Sequence, residues 1–385
     1  MSNTDLYGKR IGEPAEFHLS KWQKRQATLL YHFASLEYLK GLKKLLDDFV
    51  KSVDITLDDA QRQDRDQLLV SERWGVRNTV ANFSTYGFPA LQDFQKATSK
   101  DIALRATESF EFTGYNQCTR LLAELSMNWS TPDEEARFEA GMAAIGKCAG
   151  LIDSTMERSW NDGSFANVWK QLSKQFSRLP RFRVRTDVEG ATGNHPVRTG
   201  VYVPQDDPYG ALQFAWSGNS GGRLLDCKTF NALGLQAVNT LGRDAIWSDD
   251  PRLLQIVKQP NYIAGFKELD WFKEPGFLND ATRATAFVGG SGFIGRSCKW
   301  YFVEQIEGEG EYDAEQTEGV DATGPTAVRA RAEAGSLCPR DGFWFTPAQA
   351  NSRRFFRASE VMPEIGGDYG ATIWQWDQNQ SQPMT

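Results

Sequence analysis

Apolar positions along the first half of the chain recur three and four residues apart. Leu29, Leu30, Phe33, Leu36, Leu39, Leu42, Leu45, Leu46, Phe49 and Val50 form one such stripe, with Lys40, Lys43, Lys44, Asp47 and Asp48 between them. This period predicts a long amphipathic helix. Helical stretches follow from about Leu57 to Tyr86 and from about Lys100 to Trp129. Ser130-Thr131-Pro132-Asp133-Glu134-Glu135 then supplies a capping hydroxyl, an early proline and acids for a first turn. The helix it opens is expected to run towards Trp160 and to break at Asn161-Asp162-Gly163, with a short apolar segment from Phe165 to Phe176 closing the half.

From about Arg181 the texture changes. Glycine is frequent, and short apolar or alternating runs lie between turn signals: Gly200 to Val203, Leu212 to Trp216, Ala286 to Val288, Lys299 to Gln305 and Ala371 to Trp376. One helical insert is expected over about Lys228 to Leu241. The pattern predicts an α+β protein: a tail over 1–18, an α-helical bundle over 19–180 and a β-rich domain over 181–385.

The chain has 385 residues, 40% of them hydrophobic and 24% charged, which is a globular composition for about two domains. No apolar run approaches the roughly 20 residues that span a bilayer. The start, MSNTDLYGKRIGEPAEF, carries no signal-peptide core, so a cytoplasmic location without membrane association is expected. Five scattered cysteines (Cys118, Cys148, Cys227, Cys298, Cys338) and three histidines (His18, His32, His195) form no disulfide framework or zinc spacing, and no metal is expected. The net charge of -7 disfavours direct binding to nucleic acid.

That charge is uneven. Residues 1–180 hold 23 basic and 24 acidic groups, whereas residues 181–385 hold 20 and 26. The excess gathers in 304–321, where eight acids stand without a base among interspersed glycines. An exposed acidic loop is expected there. It is either a solvated hairpin tip or a docking arm for a basic partner, with Glu307, Glu309, Glu311, Tyr312, Asp313 and Glu315 as the contact residues.

Motifs for chemistry are sparse. Gly290-Ser291-Gly292-Phe293-Ile294-Gly295 has the GxGxxG form after a strand-like segment, but Arg296 to Val303 reads as a second strand where a dinucleotide fold needs a helix. A glycine-rich β-hairpin is expected. P-loop, HExxH and EF-hand patterns are missing, so no catalytic residue and no cofactor are assigned. Trp344, Phe345, Phe355, Phe356, Tyr369, Trp374 and Trp376 crowd the C-terminus beside Arg353, Arg354 and Arg357, a mixture that serves core packing or recognition.

The C-terminal stretch has a further property. Cys338 to Pro347, Ser352 to Phe356, Val361-Met362-Pro363 and Asp368 to Asp377 resemble the signature of the immunity protein 72 family of bacterial polymorphic-toxin systems. The helical half is similar, in a looser way, to the immunity protein 71 family. Within the signature, Trp344, Arg353, Arg354, Tyr369, Trp374 and Trp376 are expected to be structural. The resemblance implies a non-enzymatic immunity protein. Its partner would be a cognate toxin, delivered by a type VI or contact-dependent system and blocked at its active or substrate-binding surface. An enzyme that reverses toxin damage and an effector-loading adaptor are the alternatives.

Overall fold

The structure is a computed structural model that describes residues 17–65, 79–176, 178–263, 280–311, 331–339, 341–346, 349, 352–365 and 372–376. The chain forms two compact units, Met1–Asp313 and Ala314–Thr385. The expected division at 180/181 therefore falls inside the first unit. The fold class is α+β, with helices mainly in the N-terminal part and antiparallel strands in the C-terminal part.

The amphipathic stripe forms two helices, α1 (Lys21–Ala34) and α2 (Leu36–Arg62), not one. Ser35 separates them with extended backbone (φ -67°, ψ 149°). Its N–H donates to His32 O at 3.1 Å and closes α1, and its Oγ accepts from Tyr38 N at 3.1 Å and opens α2. A hydroxyl that caps the second helix compensates the break in the ladder. Then follow α3 (Val80–Asn82), a π-turn over Phe83–Gly87, α4 (Phe88–Leu104), α5 (Tyr115–Leu122) and α6 (Pro132–Glu157). Helix α6 begins at the expected capping box, with Glu134 N on Thr131 Oγ1 and Thr131 N on Glu134 Oε2. The expected break falls between Glu157 and Asn161, whose extended backbone caps α7 (Asp162–Leu172), so that Asp162 and Gly163 are helical: Ser164 N donates to Asn161 Oδ1 and Asn161 N donates to Ser164 Oγ, both at 2.9 Å. Leu29, Leu30, Phe33, Leu42 and Leu46 are fully buried at the centre of this layer. Phe33 stacks on Trp160, which stacks in turn on Phe165.

Against these helices lies an antiparallel sheet in the order β1-β6-β2-β3, with β1 at Leu179–Ala191, β2 at Gly200–Pro204, β3 at Gln213–Ala215 and β6 at Lys299–Glu311. Alternation sends β2 side chains to opposite faces. Val201 and Val203 join the helical core, and Tyr202 enters a smaller core with Leu224, Cys227, Trp300 and Phe302. Tyr31 ties α1 to the sheet: its hydroxyl donates to Val303 O and accepts from Val201 N at 3.4 Å.

A third core joins α8 (Ala232–Leu241), α9 (Arg252–Val257) and α11 (Ala281–Ser291) beside the ribbon of β4 (Cys227–Phe230) and β5 (Phe293–Arg296). The short α10 (Pro260–Ile263) precedes α11. The strand expected over Ala286 to Val288 is part of α11. Asp280 caps that helix, and Ala284, Phe287 and Val288 place a three-and-four spacing on the core. An apolar run this short fits either element, and packing decides it. Of the GxGxxG glycines, Gly290 lies in the last turn of α11, Gly292 caps it and Gly295 lies in β5, so the motif spans a helix-to-strand passage instead of the expected β-hairpin, and it reverses the strand-to-helix order a dinucleotide fold uses.

The second unit carries the antiparallel sheet β7-β10-β8-β9 (Arg331–Glu333, Ile373–Trp376, Gly342–Phe345, Arg354–Phe356) around Cys338, Trp344, Phe356, Met362 and Trp374.

Candidate functional site

Strand β1 alternates cation and apolar residue. Phe182 and Val184 pack on the helical core while Arg181 and Arg183 are exposed. Across the ladder Arg183 faces Glu304 and Arg181 faces Ile306; the next pairing is Pro180 with Gly310. Glu307, Gly308 and Glu309 are therefore unmatched on β6. They form a wide bulge whose turn is made by Gly308 at φ +73°, a conformation that suits glycine.

The acidic segment thus begins as a strand, not as a loop: 304–311 belong to β6, because β1 supplies the backbone partners. Glu307 is exposed on the bulge, and Glu309 and Glu311 follow along the strand. Tyr312, Asp313 and Glu315 lie outside the described residues. The acids are also less isolated than their spacing in sequence suggests. Glu304 bonds Arg185 at 3.4 Å and lies 3.8 Å from Arg183, and Arg178 packs beside Gly310. At the root of the arm negative charge is partly compensated, and the bulge carries it outward.

Comparison of the chain with protein-family models, curated proteins and solved structures returned no match. In the signature region, Trp344 and Trp374 are fully buried, and the Trp374 indole donates to Pro363 O at 2.8 Å. The Arg354 guanidinium lies 4.7 Å from the Trp374 ring centre, and that of Arg353 lies 4.0 Å from the Phe343 ring centre. Trp376 pairs with Trp344 in the β10–β8 ladder, and Tyr369 lies outside the described residues.

Two features had no short sequence signal. One is an open groove of about 570 Å³ where α1 ends and α2 begins, walled by α6 and lined by His32, Ser35, Tyr38, Leu45, Lys147 and Cys148. Burial lowers the His32 pKa and raises that of the Cys148 thiol, to which the Tyr38 hydroxyl donates. The thiol is thus held protonated, which leaves a mainly apolar concavity with Glu37 and Lys147 in its lining instead of an activated thiolate. The other is a pair of buried ionic clusters. In the first, Asp162 is 1% exposed and accepts from the Arg243 guanidinium, from Trp247 Nε1 at 3.0 Å and from Gln26 Nε2 at 3.4 Å.

The second cluster joins the loop after α4 to the turn after β3. Arg105 stacks 3.8 Å from the Phe110 centre, Phe110 packs on Trp216, and Arg158 lies 4.9 Å from the Trp216 centre. Arg105 Nε and Arg158 Nε and Nη1 are buried without acceptors. Burial depresses both guanidinium pKa values to about 10, and it raises the Asp101 carboxyl to about 6 against the nearby pull of Arg105. Among the described residues no group of three or more His, Cys, Asp or Glu is placed to hold a metal, and no helix is long and apolar enough to cross a membrane.

Proposed function

We propose that the chain is an immunity protein that binds a cognate secreted toxin in the cytoplasm and occludes the toxin's active or substrate-binding surface. The observation that carries this reading is the acidic bulge, where Glu307 stands exposed within the acid-rich segment. The resemblance over residues 335–378 supports the same class. A toxin that acts on nucleic acid or nucleotides needs a basic surface for phosphate, and an acidic arm is complementary to such a surface. Charge of this kind mainly accelerates encounter and makes affinity sensitive to salt.

The test is co-expression in a sensitive bacterium with the toxic domain encoded beside this gene, followed by co-purification. Rescue with a stable complex is expected. Reversal of Glu307, Glu309 and Glu311 to Lys should lower affinity by roughly 10- to 100-fold and flatten its salt dependence. Unchanged affinity in a folded variant removes the arm from the interface. Rescue without a complex points to a damage-reversing enzyme.

A further inference from the structure

Cys227 and Cys298 are separated by a long stretch of chain, yet the fold brings both into one small core. Cys227 opens β4 opposite Arg296 of β5. Cys298 stands two positions beyond Arg296, in the short link between β5 and β6. Both side chains pack in the small core of Tyr202, Leu224 and Trp300, where the Cys227 thiol also faces the Ala211 carbonyl at 3.9 Å. The position of Cys298 is fixed by Thr192, whose hydroxyl accepts from Cys298 N at 3.1 Å and donates to Cys298 O at 3.3 Å.

The two thiols differ in environment. Cys227 is fully buried, and Cys298 is part-exposed. Interaction with Cys227, with the Arg296 cation nearby, lowers the pKa of Cys298, whereas the same interaction and burial raise that of Cys227. A part-exposed cysteine that favours the thiolate beside a buried thiol that keeps its proton is the division of labour of an attacking and a resolving cysteine. The lining also includes Asp207, which is ion-paired with Arg296 at 3.0 Å, so the cation stays beside the sulfur atoms.

We propose that Cys227 and Cys298 form an oxidation site that a hydroperoxide converts to a disulfide. The Cys298 thiolate attacks the peroxide oxygen and the O–O bond breaks, giving a sulfenic acid and hydroxide. Cys227 then attacks the sulfenic sulfur as its proton leaves, which forms the S–S bond and expels the second hydroxide. The two hydroxides take up the two thiol protons, so two thiols and one peroxide give one disulfide and two waters. The crosslink staples β4 to the residue that leads into β6, the strand that carries the acidic bulge.

The experiment treats the full chain with a small excess of hydrogen peroxide, blocks remaining thiols under denaturing conditions and maps the peptides. Two of the five thiols should disappear into one 227–298 crosslink that a dithiol reductant reverses. Cys298 should react about tenfold or more faster than Cys118, which burial pushes up to about 11. In Cys227→Ser, Cys298 should accumulate as a sulfenic acid that a dimedone reagent traps. The proposal is overturned if both thiols survive while others oxidise, or if Cys298 passes to sulfinic acid in the unaltered chain with Cys227 still free. Neither outcome depends on a toxin partner.

Discussion

The two buried ionic clusters of the first unit differ in how completely their polar atoms are met. Asp162 lies at the first turn of α7, where the helix dipole favours an anion, and donors from α1, from the segment after α8 and from Trp247 converge on it. Around Asp101, Arg105 and Arg158 the burial is comparable, but three guanidinium nitrogens have no acceptor and aromatic faces supply part of the compensation. A satisfied buried charge organises its neighbours; an incompletely satisfied one is held in place by them. The first cluster is therefore a clasp between α1, α7 and the α8 region, and the second is a seam that the surrounding packing keeps closed.

The largest effect is expected from breaking the clasp. Asp162→Ala leaves the Arg243 guanidinium, which is 11% exposed, without its counter-ion and leaves Trp247 and Gln26 without an acceptor. A loss of about 3–5 kcal/mol in urea unfolding is expected. A loss under about 1 kcal/mol would mean that the cluster does not join the elements that meet there.

The seam answers to pH. Burial raises the Asp101 carboxyl from 3.8 to about 6, so the folded chain holds this proton more tightly than the unfolded chain. The folded state then binds more protons between those values, and stability falls as pH rises from about 4 to 6. Asp101→Asn removes that slope and should stabilise the protein at pH 7 by roughly 3 kcal/mol. Chemical denaturation at pH 4, 5, 6 and 7 gives the comparison. A variant less stable at pH 7 would show that attraction to Arg105 outweighs the cost of burial.

Much of the architecture was legible in the sequence. The capping box at Thr131, the strand runs at Gly200 to Val203 and Lys299 to Gln305, and the change of period near Arg181 each correspond to an observed element. What could not be read depends on chain segments meeting at a distance. The break at Ser35 uses a residue that a helix interior also tolerates, and only the cap geometry reveals it. The acids of 304–311 looked unopposed because Arg185 and Glu304 are 119 positions apart. Cys227 and Cys298, like Asp162 and Arg243, carry no local motif. Of the six acidic-segment residues predicted to meet a partner, three fall on β6, and Glu307 is exposed on the bulge.

The smallest effect separates strain from contact at the seam. Arg158 caps α6 in the left-handed region at φ +54°, where glycine is favoured. Its side chain lies against Trp216, yet two of its guanidinium nitrogens lack partners. Arg158→Gly relieves the backbone conformation and the buried orphan donors, and it forfeits the cation–π contact and the packing of the stem. These contributions are each of order 1 kcal/mol and oppose one another, so a net change within about 1 kcal/mol is expected in urea unfolding. Arg158→Ala separates the parts, because it loses the contact and retains the strained backbone. It should be less stable than Arg158→Gly by about 1 kcal/mol. Equal stability of the two variants would place the cost in the side chain alone. The seam would then resemble the clasp, held by contacts and not by backbone conformation.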